Sequence, residues 1–137
     1  MSMITIRNLQ FQYDAAPEIN ALYGIGLEIR KGECVILTGE SGCGKTTLTR
    51  CLNGLIPNFF EGTLTGEILY EGVPVNKLEQ YELSRKIGTV FQDPRSQFFA
   101  VNTTDEVAFG CENLAFSTER INQNVDAAFS RRNIDGL

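Results

Sequence analysis

The chain has 137 residues, one domain's length, with 42% apolar and 21% charged residues, a balance that excludes disorder and low complexity. Twelve Lys and Arg face 17 Asp and Glu, and the net charge of −5 argues against broad electrostatic binding to nucleic acid or anionic lipid while permitting a local basic pocket. There is no His, which removes the commonest general base and metal ligand and rules out Ser-His-Asp chemistry.

The start, Met1-Ser2-Met3-Ile4-Thr5-Ile6-Arg7, has no basic stretch followed by an apolar one, so no secretory signal is expected. The longest apolar runs, Cys34-Val35-Ile36-Leu37 and Phe98-Phe99-Ala100-Val101, fall far short of the ~20 residues that span a bilayer, and a cytoplasmic location is expected. Residues 3–9 are β-rich, and 19–29 form a second apolar stretch containing Gly24 and Gly26. Lys31-Gly32-Glu33 is a turn signal, and residues 33–38 then read as a short strand of the buried type. A glycine-rich loop occupies 39–44, a helix is expected over 45–53, and Gly54 suits its C-terminal end. Residues 63–70 form a strand candidate closed by Glu71-Gly72, a short helix is expected over 79–85, and 86–91 read as another buried strand. Thr103 or Thr104 can cap a helix that runs towards Leu114 with Asp105 and Glu106 in its first turn, the favoured charge sign there. Ser117 or Thr118 can cap a last helix whose Ile121, Val125, Ala128 and Phe129 share one apolar face. The order of strands, glycine loop, helix, strand and helices is an α/β pattern with no repeat and no linker.

One motif carries chemistry. Gly39-Glu40-Ser41-Gly42-Cys43-Gly44-Lys45-Thr46 fits G-x-x-x-x-G-K-[ST] at every fixed position. Glycines let successive N–H groups turn towards one spot at a helix N-terminus, which becomes an anion nest. Lys45 adds a point charge for the β- and γ-phosphates, and the Thr46 hydroxyl suits Mg²⁺, an ion that binds through few protein ligands. A chance match in this length has a probability of roughly 0.5% from average residue frequencies. The cysteines Cys34, Cys43, Cys51 and Cys111 match no C-x-x-C metal or redox spacing and read as reduced thiols, with Cys43 a small filler of the loop.

With these residues in view, the chain resembles the N-terminal half of an ABC transporter ATP-binding subunit, over nearly its whole length. Phe11-Gln12-Tyr13 looks like the family's A-loop, so the resemblance implies that Tyr13 stacks on adenine. Residues 39–46 are similar to its Walker A motif, which Thr47 continues, and the implied cofactors are ATP and Mg²⁺. Val90-Phe91-Gln92-Asp93 resembles the Q-loop, which makes Gln92 the implied catalytic residue near Mg²⁺ and the attacking water. Three further stretches, residues 52–62, 92–99 and 104–110, resemble energy-coupling-factor importers of cobalt-type metal ions or vitamins. The implied fold is the P-loop nucleoside-triphosphatase fold of ABC type in incomplete form, with 1–137 as one truncated nucleotide-binding domain: an antiparallel β subdomain, the phosphate-loop strand and helix, and Q-loop helices. The implied partners are a transmembrane subunit and a second ATPase subunit, with the protein peripheral on the inner face of the membrane and no role for nucleic acid.

Phosphoryl transfer needs a carboxylate near Mg²⁺ and a group that orients water. The family's Walker B Asp-Glu on a buried strand, its Leu-Ser-Gly-Gly-Gln signature and its switch His all have no counterpart here. The one Asp-Glu pair, Asp105-Glu106, follows Val101-Asn102-Thr103-Thr104 and reads as a helix start. The chain alone is therefore expected to bind nucleotide weakly, not to hydrolyse it, and to oligomerise or exchange strands through edges left unpaired. The alternative is a non-catalytic module that docks on a transporter membrane subunit. A GTPase is disfavoured, because Asn76-Lys77-Leu78-Glu79 fails the Asn-Lys-x-Asp pattern.

Overall fold

The structure, a computed structural model, describes residues 2–132. They form two compact units, one ending at Gly88 and one beginning at Thr89.

In the first unit, strands β1 (Ser2–Tyr13), β2 (Asn20–Arg30), β3 (Gly62–Tyr70) and β4 (Val73–Pro74) make an antiparallel sheet in the order β2-β1-β3-β4. β1 runs past its expected end at Leu9 to Tyr13 because a bulge resets its phase. Ile6, Leu9 and Phe11 are all buried, a spacing that strict alternation forbids. Asn8 absorbs the extra residue at φ 45°, and the register shifts there against both neighbouring strands. Glycines flank the bulge on both sides: Gly24 on β2 and Gly66 on β3, both at positive φ. A Cβ on Gly66 would meet the Asn8 carbonyl oxygen at 2.3 Å, so only glycine lets the bulged backbone lie this close. Glu71 (φ 47°) and Gly72 (φ 83°) close the β3–β4 hairpin with two left-handed residues, the turn whose twist suits paired strands.

Helix α1 (Lys45–Leu52) follows the glycine loop and buries Thr47, Leu48 and Cys51. Its C-cap is Asn53, and Gly54, next in line at φ 75°, takes the left-handed position expected of it. A short helical turn, α2 (Leu55–Asn58), comes next. Helix α3 (Gln80–Ser84) is held by a reciprocal capping box between Glu79 and Glu82. The core joins Ile6, Leu9 and Phe11 of β1, Leu22 of β2, Ile68 and Tyr70 of β3, and Leu48 and Cys51 of α1, with Ile56, Val75 and Leu83. Each large aliphatic side chain buried there contributes about 2 kcal/mol.

The second unit holds helices α4 (Thr103–Asn113) and α5 (Thr118–Arg132), whose buried residues are Ala108 and Val125 respectively. The cap of α4 is Asn102, not the expected Thr103 or Thr104. Its side-chain oxygen accepts the Asp105 N–H at 2.8 Å, so the helix is capped one residue before Thr103 and two before Thr104. The Ser117 hydroxyl accepts the Arg120 N–H at 3.4 Å, as expected at the start of α5. A hydrogen bond from the backbone of Glu119, and after it one from the Ser117 hydroxyl, holds the Glu119 carboxyl below its ordinary value.

Two expectations of secondary structure are overturned. Residues 33–38 and 86–91, read as buried strands, lie outside any strand. Ile36 is 85% exposed and Val90 80%. An apolar run reports an environment that the segment suits, whereas a strand forms only beside ladder partners, and the described residues offer neither segment one.

Candidate nucleotide site

The loop ahead of α1 is shaped by glycines. Gly39 (φ 149°), Gly42 (φ 83°) and Gly44 (φ 95°) hold backbone angles that side chains rarely adopt. Gly44 is required twice over, because a Cβ there would meet the Ala21 carbonyl oxygen of β2 at 2.5 Å and Leu22 Cδ2 at 3.1 Å. Its smallness lets the helix start press against the sheet. The first intrahelical bond runs from Leu48 N–H to Gly44 O at 2.9 Å. The N–H groups of Lys45, Thr46 and Thr47 therefore project past the helix start, where the α1 dipole is positive. No side chain caps this end and no acidic residue stands in its first turn.

Lys45 folds back over the loop. Its Nζ donates to Gly39 O at 2.8 Å and Glu40 O at 2.6 Å and lies 3.5 Å from Cys43 Sγ. The Cys43 N–H closes a turn onto Glu40 O at 3.4 Å. The ammonium of Lys45 thus lies against the loop, beside a helix start whose first amides have no partner within the helix. Nothing lies within 4 Å of where a Gly42 Cβ would stand, so that side of the loop is open. This donor set fits a polyphosphate. Ser41 and Thr46 are exposed on the loop and helix start. Among the described residues no cluster of three or more His, Cys, Asp or Glu could hold a metal, so Mg²⁺ would depend on the Thr46 hydroxyl and on phosphate oxygens.

Tyr13 ends β1 beside α1. Its ring meets Phe11 edge-on, with centroids 4.7 Å apart and planes at 82°. Its hydroxyl lies 3.1 Å from the hydroxyl of buried Thr47 and accepts from Arg50 Nη1 at 3.4 Å. The Thr47 side chain thus faces Tyr13, and only its backbone N–H belongs to the phosphate cradle. Arg50 and Phe60, which sequence reasoning missed, stack with the guanidinium 4.1 Å from the ring centroid. The available signal was helical spacing, which sets Thr47 and Arg50 on one face of α1.

Gln92 stands on the second unit, exposed, just ahead of the turn that Asp93 caps by accepting the Arg95 N–H at 3.1 Å. The Asp105-Glu106 pair is a helix start, as read. Glu106 accepts the N–H groups of Phe99 and Ala100 at 2.9 and 2.8 Å, and Asp105 accepts from the Asn102 amide at 2.7 Å. Among the thiols, Cys34 and Cys43 are exposed, while burial pushes Cys51 up to about 12.

Comparisons with known proteins agree with this geometry. Residues 22–136 match the ABC transporter family. A Treponema denticola protein assigned as an ABC transporter ATP-binding protein is 50% identical over 87% of the chain, which covers 24% of that protein. A Bacillus subtilis protein, YkoD, assigned as an HMP/thiamine import ATP-binding protein, is 38% identical over 98% of the chain, which covers 25% of it. The solved structure of CbiO1 from Clostridium perfringens, part of the ABC transporter complex CbiONQ, superposes with a TM-score of 0.82 at 30% identity, covering 99% of this chain and 52% of CbiO1. The chain thus spans about a quarter of the length of these curated relatives. With the phosphate-loop geometry, the sheet and these likenesses in agreement, the chain belongs to the ABC transporter family, within its ATP-binding domain.

Proposed function

We propose that residues 1–137 are the N-terminal part of the nucleotide-binding domain of an energy-coupling-factor importer, and that they hold the tail of ATP. The observation that carries this reading is the closure of Lys45 onto the loop carbonyls ahead of an uncapped helix start. The import assignment of YkoD and the membership of CbiO1 in CbiONQ support the transporter class. In this reading the amides of residues 42–47 and the Lys45 ammonium hold phosphate oxygens. The Thr46 hydroxyl ligates Mg²⁺, which neutralises phosphate charge when bound. Tyr13 offers its ring to the base, and Gln92 acts at the Mg²⁺ and attacking-water region in the assembled transporter. A transmembrane subunit and a second ATPase subunit complete that assembly on the inner face of the membrane.

The 137-residue chain by itself is expected to bind Mg·ATP weakly and to release no phosphate, because it carries no Walker B strand, signature or switch His. Isothermal titration of the parent chain and Lys45→Ala checks the first part, with heat expected from the parent alone. Equal affinity in the two would end the reading and favour a docking module without nucleotide. Phosphate release that disappears in Lys45→Ala would overturn the expected inactivity.

A further inference from the structure

Resting on the nucleotide reading above, we infer that Arg50 is a positioning residue for the base: its guanidinium, stacked on Phe60, clamps the Tyr13 phenol to α1, so that base platform and phosphate loop act as one rigid piece. Tyr13 is the last residue of β1, paired on one side with Gly62, which has no side chain, and unpaired on the β2 side. Its ring orientation is set instead by three contacts. Phe11 meets it edge-on, the Thr47 hydroxyl lies 3.1 Å from its oxygen, and Arg50 Nη1 donates to that oxygen at 3.4 Å. Thr47 and Arg50 are one turn apart on the helix that begins with Lys45. Any shift of the phenol is therefore a shift relative to the helix that presents the phosphate cradle.

The way Arg50 is held points to this role. Its guanidinium lies 4.1 Å from the Phe60 ring centroid, and among the described residues no carboxylate pairs with it; the ion pair found there is Arg7 with Glu67. A cation held by a ring face keeps its N–H edge free for a neutral acceptor, and the phenol oxygen supplies one. Phe60 is itself fixed by the chain that follows it. Asp14 N–H donates to Glu61 O at 3.3 Å, and Gly62 pairs with Tyr13 across the ladder. A Cβ on Gly62 would meet Gln12 O at 2.3 Å and the Phe11 ring at 2.5 Å, so the two strands close tightly just there.

The test compares ATP with inorganic tripolyphosphate, which carries the phosphates but no base, in Mg²⁺ buffer on the full chain. Tyr13→Phe and Arg50→Met are each expected to weaken ATP about fivefold and to leave tripolyphosphate unchanged. The double variant is expected to be no worse than either single one. Arg50→Lys, which keeps the charge and the aliphatic stem, is measured the same way and stands in if Arg50→Met does not fold; an intermediate loss for ATP alone is expected. Equal losses for both ligands would make Arg50 a mere support of α1 and overturn the inference. So would unchanged ATP affinity in the single variants, or additive losses in the double. A parent chain that binds neither ligand would instead remove the nucleotide reading beneath it.

Discussion

Lys45 has three N–H donors and, in this structure, directs them at the loop that precedes it. Half-exposed, the ammonium would exchange these loop contacts for phosphate oxygens when an anion binds, each a charge-assisted hydrogen bond. Gly44 matters for a different reason, since it sets where α1 begins. Gly44→Ala forces a Cβ against the Ala21 carbonyl at a positive φ, and a loss of about 2 kcal/mol is expected. Urea unfolding checks the loss, with Gly42→Ala as the comparison because that position meets φ strain without a contact. Cys51 gives a pH signature. Its thiol is pushed from 9.0 to about 12 by burial, so the folded state keeps a proton that the unfolded chain gives up. The stabilisation is complete below pH 9.0 and is lost as pH rises towards about 12. Unfolding midpoints should fall over that window in the parent and fall less steeply in Cys51→Ala. Thiol-reactive dye at neutral pH should label Cys34 and Cys43 but not Cys51 in the folded chain.

At the scale of elements, local chemistry decides where each one starts and stops. β1 reaches Tyr13 only because Asn8, flanked by Gly24 and Gly66, absorbs a bulge that keeps Phe11 on the core face. Without it, period-two alternation would turn Leu9 and Phe11 to the other face. Helix α4 of the second unit shows the same dependence on a single residue. Asn102 satisfies the Asp105 N–H and also donates to the Asp105 carboxylate. Asn102→Ala is expected to cost about 1 kcal/mol and to fray the first turn, seen as lost helical signal in circular dichroism and a lower urea midpoint. Glu106 secures the same turn from the other side by gathering the Phe99 and Ala100 amides. These bonds give the acidic pair at 105–106 a structural task at the start of α4.

For the whole molecule, the consequential feature is apolar surface on segments that match strands in composition. Val35, Ile36 and Leu37 are exposed in the first unit, and Val90 and Phe91 in the second. Exposed runs of this kind, with backbone groups outside any ladder, are templates for pairing with another chain. The chain is expected to self-associate with rising concentration, measured by light scattering, and Ile36→Lys with Val90→Lys should reduce the association. A monomer independent of concentration in the parent would count against strand exchange.

From the sequence alone, the phosphate loop, the helix after it, the β-rich start and the helical last third were legible. Each is specified locally, by glycine spacing, capping residues or periodic apolar positions. Residues 39–46 carry their turn in the sequence, because glycines at 39, 42 and 44 permit the positive φ angles that the loop takes. What only the tertiary structure decided was which apolar segments become strands and which side chains meet. Residues 3–9 and 33–38 look alike as β-formers, yet only the first lies between two ladder partners. The contact of Arg50 with Tyr13 and Phe60 joins a helix, a strand end and a loop, and no local pattern encodes it. Strand pairing and side-chain contact are relations between distant residues, so they are set by the environment that the rest of the fold supplies.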